Sequence, residues 1–94
     1  MVLPSTGRRW QHGVVVETLI QQCRKRINGE LSDKHRVTDQ LLDIRLAAAD
    51  RPEIVTIVDR LLVERPGLTT VTNKWWVEAL DELEMALQAI PARS

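Results

Sequence analysis

The chain has 94 residues, 44% of them hydrophobic and 28% charged, which is typical of one folded domain rather than of a disordered tail. Its formal net charge is zero at pH 7, and this argues against non-specific attraction to nucleic acid or to anionic lipid. No stretch approaches the roughly 18 apolar residues of a membrane span, and the start of the chain lacks the apolar run of a signal peptide. The single cysteine, Cys23, rules out an intrachain disulfide and suits a reducing compartment. We therefore expect a soluble cytoplasmic protein.

Residues 1–12 open the chain with Pro4 and Gly7, and these turn-forming residues predict a flexible N-terminal arm. Residues 13–91 are expected to form a single helical domain. The first predicted helix, about 14–27, has apolar residues at three- and four-residue spacing along one face. That face comprises Val16, Leu19, Ile20, Cys23 and Ile27. Asn28 and Gly29 then favour a left-handed helix stop.

The second predicted helix, about 33–49, takes Ser32 or Asp33 as its N-cap. Its main apolar stripe consists of Val37, Leu41, Ile44 and Ala48. A second stripe, formed by Leu42, Leu46 and Ala49, lies roughly 120–180° away around the helix. Such a stripe is either covered by another helix of the same body or left open as a docking surface.

The third predicted helix, about 51–65, follows Asp50, which with Glu53 resembles a capping box. Its apolar arc is wide enough to contact two neighbours, so we expect this helix to be central. The arc comprises Ile54, Val55, Ile57, Val58, Leu61 and Leu62. The fourth predicted helix, about 73–90, carries a seam typical of nearly antiparallel packing. Its members are Trp76, Leu80, Leu83, Leu87 and Ile90. Together the four patterns predict an all-α, small four-helix bundle-like domain with a flexible N-terminal arm.

Metal and catalytic chemistry find little support in the sequence. His35, Asp39 and Asp43 share a helical face, but this pattern is typical of a solvated polar surface, and His12 and Cys23 lack paired ligand spacing. There is no Gly-x-Ser-x-Gly elbow and no glycine loop that would hold phosphate. The acidic run of the fourth helix is interpreted as its exposed face, and it comprises Glu78, Asp81, Glu82 and Glu84. We expect no enzyme, no metal and no cofactor.

Two adjacent tryptophans point instead to protein binding. Neighbouring residues on a helix diverge by about 100°, so Trp76 is assigned to the core and Trp75 projects away, beside Ala79 and Ala86. An exposed indole flanked by small side chains is a typical interface anchor. Cover by Trp10 or by residues 68–71 is the other interpretation of Trp75. The predicted partner-binding residues are Trp75, Leu42, Leu46 and Ala49.

The predicted function is therefore a non-enzymatic helical interaction module, acting as an adaptor, an inhibitor or an assembly domain. Self-association is expected, because a symmetric dimer would cover the same apolar patch on both copies. The uneven distribution of charge along the chain supports self-association weakly. Residues 1–40 hold seven Lys and Arg against four Asp and Glu, whereas residues 41–94 hold six Lys and Arg against nine Asp and Glu. No membrane partner is expected.

A small nucleic-acid-binding regulator is the alternative function. Basic residues flank the turn between the first two helices and occur in the arm. The candidate phosphate-binding set is Arg8, Arg9, Arg24, Arg26, Lys34 and Arg36. Against it, consecutive residues on a helix diverge, so Arg24 and Arg26 leave on nearly opposite flanks.

The four patterns predict an all-helical far-UV circular dichroism spectrum, since little β signal lies between them. A measured strand content above about a quarter of the residues would contradict the all-α class.

Overall fold

The computed structural model describes residues 12–66 and 73–90, and in these residues all regular structure is helical. Four α-helices follow one another: α1 His12–Ile27, α2 Val37–Ala47, α3 Pro52–Glu64 and α4 Asn73–Ala89. A single 3-10 turn, Lys34–Arg36, leads into α2. The predicted all-α, four-helix class is confirmed. The predicted arm falls on residues 1–11, which lie outside the described residues, and on His12, which is helical.

The end of α1 follows from its sequence. Gly29 has φ of 85°, the left-handed conformation that glycine adopts without a steric penalty. Its N–H donates to the carbonyl of Arg26 at 3.2 Å, and the N–H of Glu30 donates to the carbonyl of Lys25 at 2.8 Å. These two bonds define a Schellman motif, which satisfies carbonyls that the helix leaves unpaired. The predicted helix stop at Asn28 and Gly29 is confirmed.

The start of α2 differs from the prediction. Asp33 adopts a left-handed conformation, with φ of 60° and ψ of 58°, and its side chain makes no capping hydrogen bond. Its carbonyl oxygen instead accepts the N–H of Arg36 at 2.9 Å, which closes the 3-10 turn. Aspartate tolerates this conformation better than most residues. Asp33 thus occupies the N-cap position of the 3-10 turn, as predicted, but the expected side-chain cap is wrong because a backbone bond opens the segment.

The start of α3 is also shifted. Its N-cap is Arg51, with Pro52 in the first turn and no side-chain capping bond. The carbonyl of Arg51 accepts the N–H groups of Ile54 and Val55 at 2.9 and 3.1 Å. The predicted capping box from Asp50 to Glu53 is wrong, because the helix begins one residue later than that box requires. The Asp50 carboxylate lies 3.9 Å from Nδ1 of His12 instead.

The helices form a ring in which α1 packs against α2 and α4, and α3 packs against the same two helices. Contacts at both ends of α1 show that it runs antiparallel to α2. Arg26, near the end of α1, bonds to Gln40 near the start of α2, and His12, at the start of α1, lies beside Asp50 just after the end of α2. Each helix of the described chain therefore has two neighbours, and the prediction that the third helix is central is wrong.

One face of each helix fills the ring. The buried apolar residues are Val16, Ile20, Cys23, Ile27, Val37, Leu41, Ile44, Ala48, Ile54, Val58, Leu61, Trp76, Ala79, Leu80 and Leu83. Leu19, Leu87 and Ile90, which the sequence also assigned to core faces, are half-buried at its rim. The main stripes of all four predicted helices are thus confirmed. Trp76, with 1% of its surface exposed, is the largest of these side chains.

Replacement of Trp76 by alanine is expected to lower the free energy of unfolding by about 3–5 kcal/mol, because it leaves a cavity where the four faces meet. The indole Nε1 of Trp76 is buried without a hydrogen-bond partner among the described residues, so no bond is lost with the ring. Urea unfolding followed at the helical circular dichroism band measures the change without relying on tryptophan fluorescence. Trp75→Ala is the matched control, and equal midpoints for the two variants would contradict the core assignment.

Candidate protein-docking surface

The outward face of α2 carries two large apolar side chains. Leu42 is 45% exposed and Leu46 is 73% exposed, and the two lie one helical turn apart. Among residues 12–66 and 73–90, no other two exposed large apolar side chains have this spacing. Ala49 is exposed too, but α2 ends at Ala47, so Ala49 lies in the following turn rather than on the helix. We call Leu42, Leu46 and Ala49 the leucine stripe.

The ring explains why the leucine stripe is open. The main stripe of α2, represented by Leu41 and Ile44, is fully buried against the neighbouring helices. Leu42 and Leu46 lie on the other side of α2, and both remain exposed although α1 and α3 pack against this helix. Of the two interpretations that the sequence left open, the structure therefore favours an uncovered stripe.

The two long edges of the leucine stripe differ in charge. On one edge, Asp39 and Asp43 are exposed, four residues apart, and neither forms an ion pair or hydrogen bond within the described chain. We call these two residues the acidic flank. On the other edge, Arg45 is held by Asp59 of α3, with Nε 2.6 Å from Oδ1, so this edge is close to neutral. The stripe therefore has one negative edge.

Trp75 does not extend this surface. It is half-buried, packs against the core and meets the ring of Trp76 edge-on, with centroids 5.1 Å apart and an interplanar angle of 87°. Ala79 beside it is buried and Ala86 is half-buried, so neither offers an open space for a partner helix. Trp75 also lies on α4, across the ring from α2. The predicted partner-binding residues thus fall on two separate surfaces.

Val63 and Met85 are exposed apolar side chains that each stand alone among charges. Val63 is 85% exposed and Met85 is 70% exposed, but on their own helices they neighbour Asp59 and Glu64, or Asp81 and Glu82. Single exposed apolar residues are ordinary on protein surfaces. The sequence analysis did not single them out, and they provide matched controls for the leucine stripe.

Three of the six predicted phosphate-binding residues form hydrogen bonds within the protein. Arg24 reaches from α1 to α4, where it hydrogen-bonds Asp81 at 2.8 Å and also Glu84. Arg26 donates to Gln40 and to the backbone carbonyl of Ser32.

Of the remaining members of that set, Lys34 donates to Asn73 of α4 at 3.2 Å, and Arg36 is exposed. Arg8 and Arg9 lie outside the described residues. A guanidinium shared by two carboxylates presents little positive charge to a phosphate, so Arg24 is poorly placed to bind one, and the nucleic-acid alternative stays a prediction for the other members of the set.

A polar cluster between α1 and α2 was missed by sequence reasoning. Gln40 is buried, with 7% of its surface exposed, although periodicity places it next to the apolar stripe. Its Nε2 donates to Gln22 at 2.6 Å, and its Oε1 accepts Arg26 Nε at 2.9 Å and the thiol of Cys23 at 3.8 Å. Because each partner of Gln40 is on α1, the cluster fixes the register of the two helices.

This cluster shows no sign of catalytic chemistry. Burial raises the pKa of the Cys23 thiol from 9.0 to about 12, and the nearby charge of Arg26 only partly opposes the rise. A thiol with so high a pKa is a poor nucleophile at neutral pH. No group of three or more His, Cys, Asp or Glu in the described residues is placed to hold a metal ion.

Comparison of this chain with protein-family models, with curated proteins and with solved structures found no match. Within the described residues, no helix combines the length and the apolar character that crossing a bilayer requires. The leucine stripe is therefore the feature of the described chain that bears most on its function.

Cys23 is expected to react with a maleimide much more slowly in the native protein than in urea, because its thiol is buried and protonated. The raised pKa also means that its contribution to stability is complete below pH 9.0 and is lost as the pH rises towards about 12. Labelling near pH 8, where an ordinary thiol reacts readily, measures the protection against a free-thiol reference. Equal labelling rates in buffer and in urea would contradict a closed core at Cys23.

Proposed function

We propose that this protein is a non-enzymatic helical interaction module of the cytoplasm that binds another protein through the leucine stripe. The observation that carries the proposal is the exposure of Leu42 and Leu46 on a helix whose other face is fully buried. An adaptor, an inhibitor or an assembly domain would each use such a surface, and none of them requires a cofactor.

The energetics favour an apolar contact at this position. Covering apolar surface contributes about 25 cal/mol per Å² removed from water, and a helix that lies in an apolar groove uses side chains at this spacing. Because α2 is held on both sides by α1 and α3, a partner that docks there meets a rigid backbone. A rigid surface loses less conformational entropy on binding than a loop does.

Self-association is the form of this proposal that needs no other protein, since a two-fold axis would bring the leucine stripes of two copies together. It is expected to be weak. The stripe supplies only a small part of the roughly 800 Å² that each partner buries in a standard interface. Two acidic flanks would also repel each other, and salt reduces that repulsion.

Analytical ultracentrifugation tests this expectation. The parent protein should associate weakly and reversibly, and more strongly in about 1 M salt, where the screening length falls to about 3 Å. Leu42→Glu combined with Leu46→Glu should remain folded and monomeric, because both side chains lie outside the core.

The matched control for this pair is Val63→Glu with Met85→Glu, which adds the same charge at two other exposed apolar positions. This control should associate like the parent. A parent that stays monomeric at every salt concentration would rule out self-association, and association retained in the Leu42/Leu46 variant would rule out the leucine stripe as the surface.

A further inference from the structure

The charge around the leucine stripe indicates what kind of partner fits it. We propose that its occupant is an amphipathic helix of another protein, with leucine-like residues along one face and lysine or arginine beside them. This inference rests on the proposed function, because it names the partner of the same surface. Three features of α2 carry it: the acidic flank, the neutral opposite edge and the small apolar area.

The acidic flank has no structural partner. Asp39 lies in the first turn of α2, where the helix dipole favours a carboxylate, so its presence has a local explanation. Asp43 lies one turn further along and has no such explanation. Like charges four residues apart repel each other and destabilise a helix, and no described cation forms an ion pair with Asp39 or Asp43, although Arg36 lies three residues before Asp39. A cationic partner would remove that repulsion on binding.

The opposite edge of the leucine stripe offers no comparable positive charge that would attract an acidic partner. Arg45 is the cation nearest to the stripe on that side, and its guanidinium is shared with Asp59 at 2.6 and 3.5 Å. Arg36 is exposed near the start of α2, one turn before Asp39, and is the free cation closest to the acidic flank. Asp43 has no Lys or Arg three or four residues away on α2, so the unpaired negative charge lies towards the middle of the helix.

A second copy fits this surface less well than a basic helix. It would bring its own Asp39 and Asp43 to the interface and double the negative charge there. The exposed parts of two leucines and one alanine are also small beside the roughly 800 Å² that each partner buries in a standard interface, so they suit one short helix better than a stable dimer. Helix-in-groove recognition uses anchors at this spacing with charged residues at the rim.

A displayed library of helical peptides tests the proposal. Each peptide carries fixed leucines along one face, and every flanking position is randomised between lysine and glutamate. The library is selected on the parent, on Leu42→Glu with Leu46→Glu, and on Asp39→Lys with Asp43→Lys. Lysine should be enriched on the parent, glutamate on the Asp→Lys variant, and no peptide on the Leu→Glu variant.

Affinity measurements on charge variants then distinguish the effect of the acidic flank from the effect of the net charge of the protein. Asp39→Asn with Asp43→Asn, a milder change that keeps side-chain size, should weaken a selected lysine peptide by roughly three- to tenfold, since exposed ion pairs contribute little each. Glu17→Lys with Glu78→Lys changes the net charge as much as the Asp→Lys pair does, at exposed positions on α1 and α4 rather than on α2. This control should leave the affinity within about twofold, and added salt should weaken binding to the parent.

The outcomes distinguish this inference from the proposed function. Peptides that depend on Leu42 and Leu46 but show no charge preference, or prefer glutamate, would overturn the basic partner and leave the docking surface intact. Selection that is unaffected by Leu42→Glu with Leu46→Glu, or that enriches nothing on the parent, would overturn both. Stronger self-association than peptide binding would identify a second copy as the occupant instead.

Discussion

Each helix of the ring contacts two neighbours on adjacent sides, and this limits every helix to one buried face. The limit is strongest for α2, where α1 and α3 enclose the side that carries Leu41 and Ile44. Any apolar residue on the far side of α2 must then face solvent, whatever its hydrophobicity. The exposure of Leu42 and Leu46 is thus a consequence of the ring itself rather than of a local irregularity in the helix.

Polar contacts decide how the helices are aligned once their apolar faces meet. Gln40 ties α2 to α1, and Arg24 ties α1 to the carboxylates of α4. A buried amide that must satisfy several partners tolerates little change of register, since each lost bond leaves a polar group without water. The same contacts withdraw basic side chains from the surface, so arginines that are conspicuous in the sequence have structural roles here.

The leucine stripe and the acidic flank together give α2 an outer face of definite chemistry. In the proposed complex, apolar burial would supply the affinity and the negative edge would supply a preference among partners, because a partner with like charge would be left with unpaired charges at the rim. Salt should therefore act in opposite directions on two copies of the protein and on a basic helix. This difference ties the proposed partner to the structure of α2 rather than to its hydrophobicity alone.

The sequence by itself determined the helices and their inner faces, because a repeat of 3.6 residues per turn is a local property. It also determined the end of α1, since Gly29 adopts its left-handed conformation within the chain. Helix starts were mispredicted where backbone bonds at Asp33 and Arg51 replaced side-chain caps. Only the tertiary structure decided that Leu42 is open while Trp75 is half-buried, because the sequence pattern of one helix does not show which of its sides a neighbour covers.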